Sequence, residues 1–290
     1  MALALRSCHR AGMSTCAHLV TNTTRWDFRS GFWIPTRGVR LPDDRRDLEA
    51  RCEALLVALP EMIAFAGDTS VGIWKGVENS GELLEIVTLP DAHPIRRSGV
   101  RARRRDLVAK EVVEVRGLPV TSPERTFVDV AERLSVPRLV AVGDDFLRRR
   151  LCTRTDIAEV IGRSQGQRGV RAARRAVDLL DPRSESPRES LTRAIIIEAG
   201  LPAPTPQVEI YNASGRFIAR GDLVYEDQRI VIEYDGYHHL TLQGQERDAR
   251  RRGLLGLEGW LIVTVVPADI HRPTELVAKV DRALRSRSRG

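Results

Sequence analysis

Apolar positions along the chain change their period several times, and each change marks an element. In "RRDLEARCEALLVALP", Leu48, Cys52, Leu55, Leu56 and Leu59 recur at three- and four-residue intervals, which predicts a helix ending near Pro60. Upstream, "RWDFRSGFWIPTRGVRLPDD" alternates aromatics with turn residues and predicts short strands closing at Pro42-Asp43-Asp44. "GELLEIVTLP" reads as a strand and "KEVVEVRGLPVT" as a strand pair, with an arginine-rich loop or strand edge between them. A helix then starts in "TSPERTFVDVAERL", where Thr121 or Ser122 can cap, Pro123 suits the first turn and Glu124 stands at capping-box distance from Thr121. Helical periodicity continues through "PRLVAVGDDFLRRRL", "TRTDIAEVIGRS" and "GVRAARRAVDLL".

"DPRSESPRES" concentrates Asp, Pro and Ser between two apolar-periodic helices, so the sequence divides into residues 1–180 and 181–290. The second part reads as a helix over 187–199, the strands "PQVEIY", "RFIARGDLVY" and "RIVIEYD", a helix over 242–258, the strand "WLIVTVV" and a last helix over 273–286. A three-stranded meander followed by a helix and a further strand makes a mixed sheet covered by helices. The predicted class is therefore α/β: a C-terminal αβββαβ core preceded by a mixed α/β region.

Composition narrows the function. With 290 residues, 42% hydrophobic and 29% charged, the chain fits a globular protein of two domains. No apolar run approaches the roughly 18 residues of a spanning helix, and the apolar start is broken by Arg6, too early for a signal-peptide core. A cytoplasmic protein without a membrane partner is expected, with Met13 a second candidate start. Cys8, Cys16, Cys52 and Cys152 have no CxxC spacing, which argues against a zinc site or a disulfide framework. The net charge of +7 resides entirely in residues 1–180, densest in "RRSGVRARRR". Arg101, Arg103, Arg104 and Arg105 are candidate phosphate contacts for a nucleic acid, as is Arg247 on the later helix; a solvated charged face is the competing reading.

Candidate chemistry gathers at "VIEYDGYHH". Alternation puts Val231, Glu233 and Asp235 on one face of their strand. Asp222 lies on the preceding strand, and the hairpin loop sets its distance. A two-residue loop leaves Asp222 diagonal to Glu233, a four-residue loop puts them directly opposite, and a three-residue loop separates them unless a bulge intervenes. Three acids on one patch repel one another, and a hard divalent cation such as Mg²⁺ or Mn²⁺ would relieve that. Gly236 would let the chain turn and bring His238 and His239 beside them, where an imidazole can shuttle a proton.

From Ser184 to about Ala283 the chain resembles the very-short-patch-repair-like endonuclease domains of the PD-(D/E)xK superfamily, in particular a bacterial domain family of unknown function in that group. The matching pieces are "SESPRESLTR", "GLPAPTPQVEIY", "FIARGDLVY", "IEYDGYHH", "RDARRRGLLGLEGW" and "LIVTVV". That resemblance implies a restriction-endonuclease-like core with Asp222 and Glu233 as metal-binding acids and Glu189 as the acid on the leading helix. It puts Asp235 where many members keep a catalytic lysine, and His239 and Asp248 at positions of polar site residues. Lys279, the lone lysine of this part, falls in the last helix. Glu189 has a competing reading, since Ser186-Pro187-Arg188-Glu189 is itself a capping box.

"EVRGLPVTSPERTFVDVAERL" resembles the C-terminal part of AbiEi-type antitoxins and related actinobacterial regulators. Those proteins usually begin with a winged helix, and residues 1–45 show no helix-turn-helix pattern. Two functions follow. One is a divalent-metal-dependent endonuclease acting on nucleic acid, most simply DNA, with Asp222, Glu233, Asp235 and His239 as catalytic residues. The alternative is a regulator of antitoxin type that binds nucleic acid or a toxin partner and keeps a degenerate nuclease fold.

Overall fold

A computed structural model describes residues 32–59, 62–76, 83–235 and 242–288. The chain forms two compact units that interleave in sequence. The described residues of the first lie within 32–132 and 159–169, and those of the second within 133–158 and 170–288. Helix α5 (Arg154–Arg163) runs across the division.

The first unit opens with a hairpin of β1 (Phe32–Thr36) and β2 (Val39–Pro42), turned at Gly38. Helix α1 (Leu48–Ala58) follows the predicted stripe: Leu48, Cys52 and Leu55 are buried, and Asp47 caps the helix by accepting from the Ala50 amide at 2.8 Å. Five strands form a mixed sheet in the order β5-β4-β3-β7-β6. They are β3 (Ala64–Phe65), β4 (Leu84–Thr88), β5 (Val100–Arg104), β6 (Val112–Val115) and β7 (Leu118–Thr121). The arginine-rich segment is thus an edge strand, parallel to β4. Arginine side chains suit such an edge, because their charge discourages pairing with another chain. Helix α2 (Gly67–Lys75), which the apolar pattern did not signal, packs with β3 and β4 around Phe65, Ile73 and Ile86. Helix α3 (Pro123–Val130) starts at Ser122 as expected, yet without the capping box. The Thr121 hydroxyl pairs instead with that of Thr126, at 2.8 Å.

In the second unit, α4 (Val136–Arg148), α6 (Val170–Asp178) and α7 (Pro187–Glu198) pack together ahead of a four-stranded sheet. That sheet has the order β11-β10-β9-β8, from β8 (Thr205–Tyr211), β9 (Phe217–Tyr225), β10 (Ile230–Tyr234) and β11 (Leu261–Val265). The β8–β9–β10 meander is antiparallel, and β11 returns parallel to β10 after α8 (Leu242–Leu257). The αβββαβ order is therefore present, followed by a short α9 (Pro267–His271) and by α10 (Pro273–Arg287). One face of the sheet carries Leu223, Tyr225, Ile230 and Ile232 against α7 and α10. The other carries Val224 and Val231 against Leu255 of α8.

The segment around Asp181 lies inside this unit rather than between units, and a buried ion pair explains why. Arg193 of α7 donates to Asp144 of α4 at 2.7 Å and to the Leu179 carbonyl at 2.7 Å, while Asp144 accepts from the Asp181 amide at 2.6 Å. Burial pushes the Asp144 carboxyl up, and Arg193 and the Asp181 amide work against that shift. Breaking such a pair strands one charge in a medium that solvates it poorly. Arg193→Ala should therefore destabilise the second unit by about 3–5 kcal/mol in chemical denaturation. A change below about 1 kcal/mol would show that this pair does not hold α4 to α7.

Candidate functional site

The β9–β10 connection sets the site. Tyr225 pairs with Ile230, Val224 with Val231 and Leu223 with Ile232, so residues 226–229 form the four-residue loop, and the ladder ends one residue short of Asp222 and Glu233. Arg229 takes a left-handed conformation there, with φ 50°, and its amide closes the turn onto the Glu226 carbonyl at 3.0 Å. The loop is thus the four-residue alternative, yet Asp222 lines a crevice with Leu223, Ile232, Tyr234 and Glu189 on the α7 side of the sheet, whereas Glu233 meets Arg251 of α8 on the other side. Gly221, just before Asp222, is required by space: a Cβ there would lie 2.6 Å from Val224 Cγ2 and 3.0 Å from Val231 Cγ1.

The two carboxylates end in different electrostatic states. Glu233 is 6% exposed and is gripped by Arg251 of α8, whose Nη1 donates to Oε1 and whose Nη2 donates to Oε2 at 2.9 Å. Arg251 Nη2 also reaches Asp248 at 2.8 Å. Burial works against the Arg251 charge, and the Glu233 and Asp248 carboxylates more than offset it, so its pKa lies above the usual arginine range. Asp222 accepts from the Tyr234 amide at 3.2 Å. Its pKa is pushed up to about 6, first by burial and then by Glu189, with Glu233 adding to the rise and Arg251 opposing it.

Glu189 stands at the start of α7. Its amide donates to Ser186 Oγ at 3.2 Å, which is half of the expected capping box. Its carboxylate takes the Glu185 amide at 3.0 Å rather than that of Ser186, and also the Gln207 side-chain amide at 2.7 Å. Glu189, Thr192, Asp222 and Tyr234 line a crevice with no space for a water molecule, and the buried Thr192 hydroxyl has no hydrogen-bond partner. Asp235 is exposed just past β10, its carboxylate 3.9 Å from Arg252. His239 lies outside the described residues. Lys279 is held by Asp269 at 2.7 Å and by the Thr264 carbonyl at 3.1 Å. Among the described residues, no group of three or more His, Cys, Asp or Glu side chains is placed to hold a metal ion.

Sequence reasoning missed the partner of Glu233. It singled out Arg247, which is exposed, and the contact is made by Arg251, one helical turn further on. It also passed over Gln207. The register of β8 on β9 sets Gln207 beside Asp222, and its backbone is left-handed at φ 55°. That conformation costs a non-glycine residue about 1 kcal/mol or more, and strain of this kind concentrates at functional sites. No feature of "TPQVEIY" signals it.

The candidate nucleic-acid arginines of the first unit are largely engaged within it. Arg101 pairs with Glu85 at 2.7 Å, and Arg103 pairs with Glu132. Arg105 lies 4.0 Å from Asp129 and 3.9 Å from Glu132, and Arg104 is exposed.

Comparison with known proteins finds a likeness over part of this chain. Residues 48–182 match the family described as the AbiEi antitoxin C-terminal domain. An uncharacterized protein of Mycobacterium tuberculosis, found in strains CDC 1551 and H37Rv, is 36% identical over 179 residues, which cover 61% of this chain. The match spans 66% of the relatives' length, just under two thirds. No solved structure matches. Among the described residues, no helix is long and apolar enough to cross a membrane.

The state of Asp222 generates a prediction. Its ordinary pKa is 3.8 and its folded value about 6, so the native state binds this proton more tightly than the unfolded chain does. Ionisation therefore erodes stability as pH rises from about 4 through about 6. Asp222→Asn should stabilise the fold above about pH 7, by on the order of 1–2 kcal/mol after solvent screening, and the gain should vanish near pH 4. Thermal denaturation across that range checks it, and a loss of stability at neutral pH would show that the fold needs the charged carboxylate.

Proposed function

We propose that this protein is a non-catalytic regulator of antitoxin type, which binds a toxin or nucleic-acid partner and carries a degenerate nuclease-like fold at its C-terminus. The observation that carries this reading is the likeness of residues 48–182 to the AbiEi antitoxin C-terminal domain. The second unit is consistent with it. A nuclease of the two-carboxylate type needs Glu233 free to bind a cation, and here both of its oxygens accept from Arg251. The guanidinium supplies the positive charge that a metal would otherwise bring. Lys279, tied to Asp269, offers no replacement for the lysine of the PD-(D/E)xK pattern.

A second reading has one observation in its favour. Asp222 is raised to about 6 by burial and by the neighbouring Glu189 and Glu233, and a bound divalent cation would relieve that repulsion. Mg²⁺ or Mn²⁺ held by Asp222, Glu233 and Glu189 would activate a water for phosphodiester hydrolysis. Arg251 would first have to leave Glu233.

Incubation of the purified protein with supercoiled plasmid, single-stranded DNA and RNA separates the two. With Mg²⁺, Mn²⁺ or chelator, no cleavage is expected, and Asp222→Asn and Glu233→Gln should leave nucleic-acid affinity unchanged. Cleavage that a chelator stops, and that either substitution abolishes, would replace the regulator with the endonuclease.

A further inference from the structure

The arginines of β5 do more than decorate a sheet edge. Arg103, Arg104 and Arg105 join Glu132, Gln167 and Arg168 around a cavity of about 340 Å³ in the first unit. That volume is in the range of small-molecule sites, and four guanidinium groups face one lining carboxylate. Glu132 cannot neutralise them. It pairs with Arg103 and lies 3.9 Å from both Arg105 and Arg168. The hydrogen bond from Arg103 holds its carboxyl below the ordinary range. Asp129, behind Arg105, is already bound by the buried Arg125 at 2.5 Å.

Two local features hold the arginines together against their mutual repulsion. The edge position of β5 projects Arg103 toward Glu132, and the Arg105 amide donates to the Thr88 carbonyl at 3.0 Å, which fixes the chain where that strand ends. The loop with Gln167 and Arg168 closes against the end of α3 through Gly169, at φ 84°, where a Cβ would lie 2.4 Å from the Ala131 carbonyl carbon. Only glycine permits that approach. Gln167 is anchored by Arg125 Nη2, which donates to its Oε1 at 3.0 Å. Arg105 Nε is buried without a hydrogen-bond partner, and burial pulls the Arg105 pKa down, chiefly against the charge of Asp129.

We infer that this cavity is a binding site for a multiply charged phosphate group, a phosphomonoester or a pyrophosphate, such as a nucleotide or the 5′-phosphate end of a nucleic-acid strand carries. A phosphodiester backbone bears one charge per phosphate along a line, and calls for a row of cations in a groove. Here the positive charge is gathered in one concavity, and guanidinium forks match phosphate oxygens in pairs. All six lining residues fall within residues 48–182, so the inference adds a ligand to the regulator proposed above, and no residue of the second unit contributes to the cavity.

The test is calorimetric titration of the full-length protein with inorganic pyrophosphate, with GMP, and with a short single strand bearing either a 5′-phosphate or a 5′-hydroxyl. Pyrophosphate should bind at one site. Arg104→Ala combined with Arg168→Ala should weaken it by about tenfold or more at unchanged melting temperature, since both side chains are exposed. Arg101→Ala, which removes a charge outside the cavity, should change the affinity less than twofold. A preference for GMP over the strand assigns the site to free nucleotides, and a preference for the 5′-phosphorylated strand over the 5′-hydroxyl strand assigns it to strand ends. Absence of pyrophosphate binding by the wild type, or equal binding by the Arg104/Arg168 double variant, overturns the assignment.

Discussion

A carboxylate in the interior of a sheet demands a counter-charge, and the second unit is organised around meeting that demand at Glu233. The side chain is 6% exposed, on a strand whose neighbours Ile230, Val231 and Ile232 are core residues. Left alone it would cost several kcal/mol or take up a proton. Arg251 reaches it from α8 with both terminal nitrogens, and Asp248 holds the same guanidinium from the turn before. The placement of α8 over β9 and β10 follows from this contact together with the packing of Leu255 on Val224 and Val231. Asp222 is left as the acid without an arginine, and its pKa rises accordingly.

The same logic governs the rest of the molecule, which contains many arginines and few lysines. Arg193 is buried against Asp144, Arg125 against Asp129, and Arg101 lies along Glu85 on the neighbouring strand. Planar forks with several donors can satisfy a carboxylate and a carbonyl at once, as Arg193 does with Asp144 and Leu179. Net charge alone would have assigned most of these side chains to nucleic acid. Around one cavity Arg103, Arg105 and Arg168 share Glu132, with the exposed Arg104 beside them.

Backbone periodicity made the second unit legible before any coordinates. The helices over 187–198 and 242–257 and all four strands fall within one or two residues of where apolar spacing put them, because each buries a regular face. Alternation also left a four-residue β9–β10 loop open, which is the loop formed, but Asp222 lines the crevice of Leu223, Ile232 and Tyr234 while Glu233 turns to α8. What could not be read were features created by tertiary contact. Helix α2 has a mixed sequence, "GDTSVGIWK", and is helical because Ile73 and Trp74 pack against the first sheet. The association of α4 with α7 rests on an ion pair between residues 49 positions apart. The choice of Arg251 over Arg247, and the left-handed turn at Gln207, depend on where α8 and α7 come to lie.

On this account Arg251 occupies the role that a divalent cation plays in an active carboxylate centre, and the most direct measurement is a calorimetric titration of Mn²⁺ into the chelator-treated wild type and into Arg251→Met. No saturable binding to the wild type is expected, with a site appearing once the guanidinium is gone and Glu233 is free to coordinate. Saturable binding of Mn²⁺ to the wild type, abolished by Glu233→Gln, would contradict it.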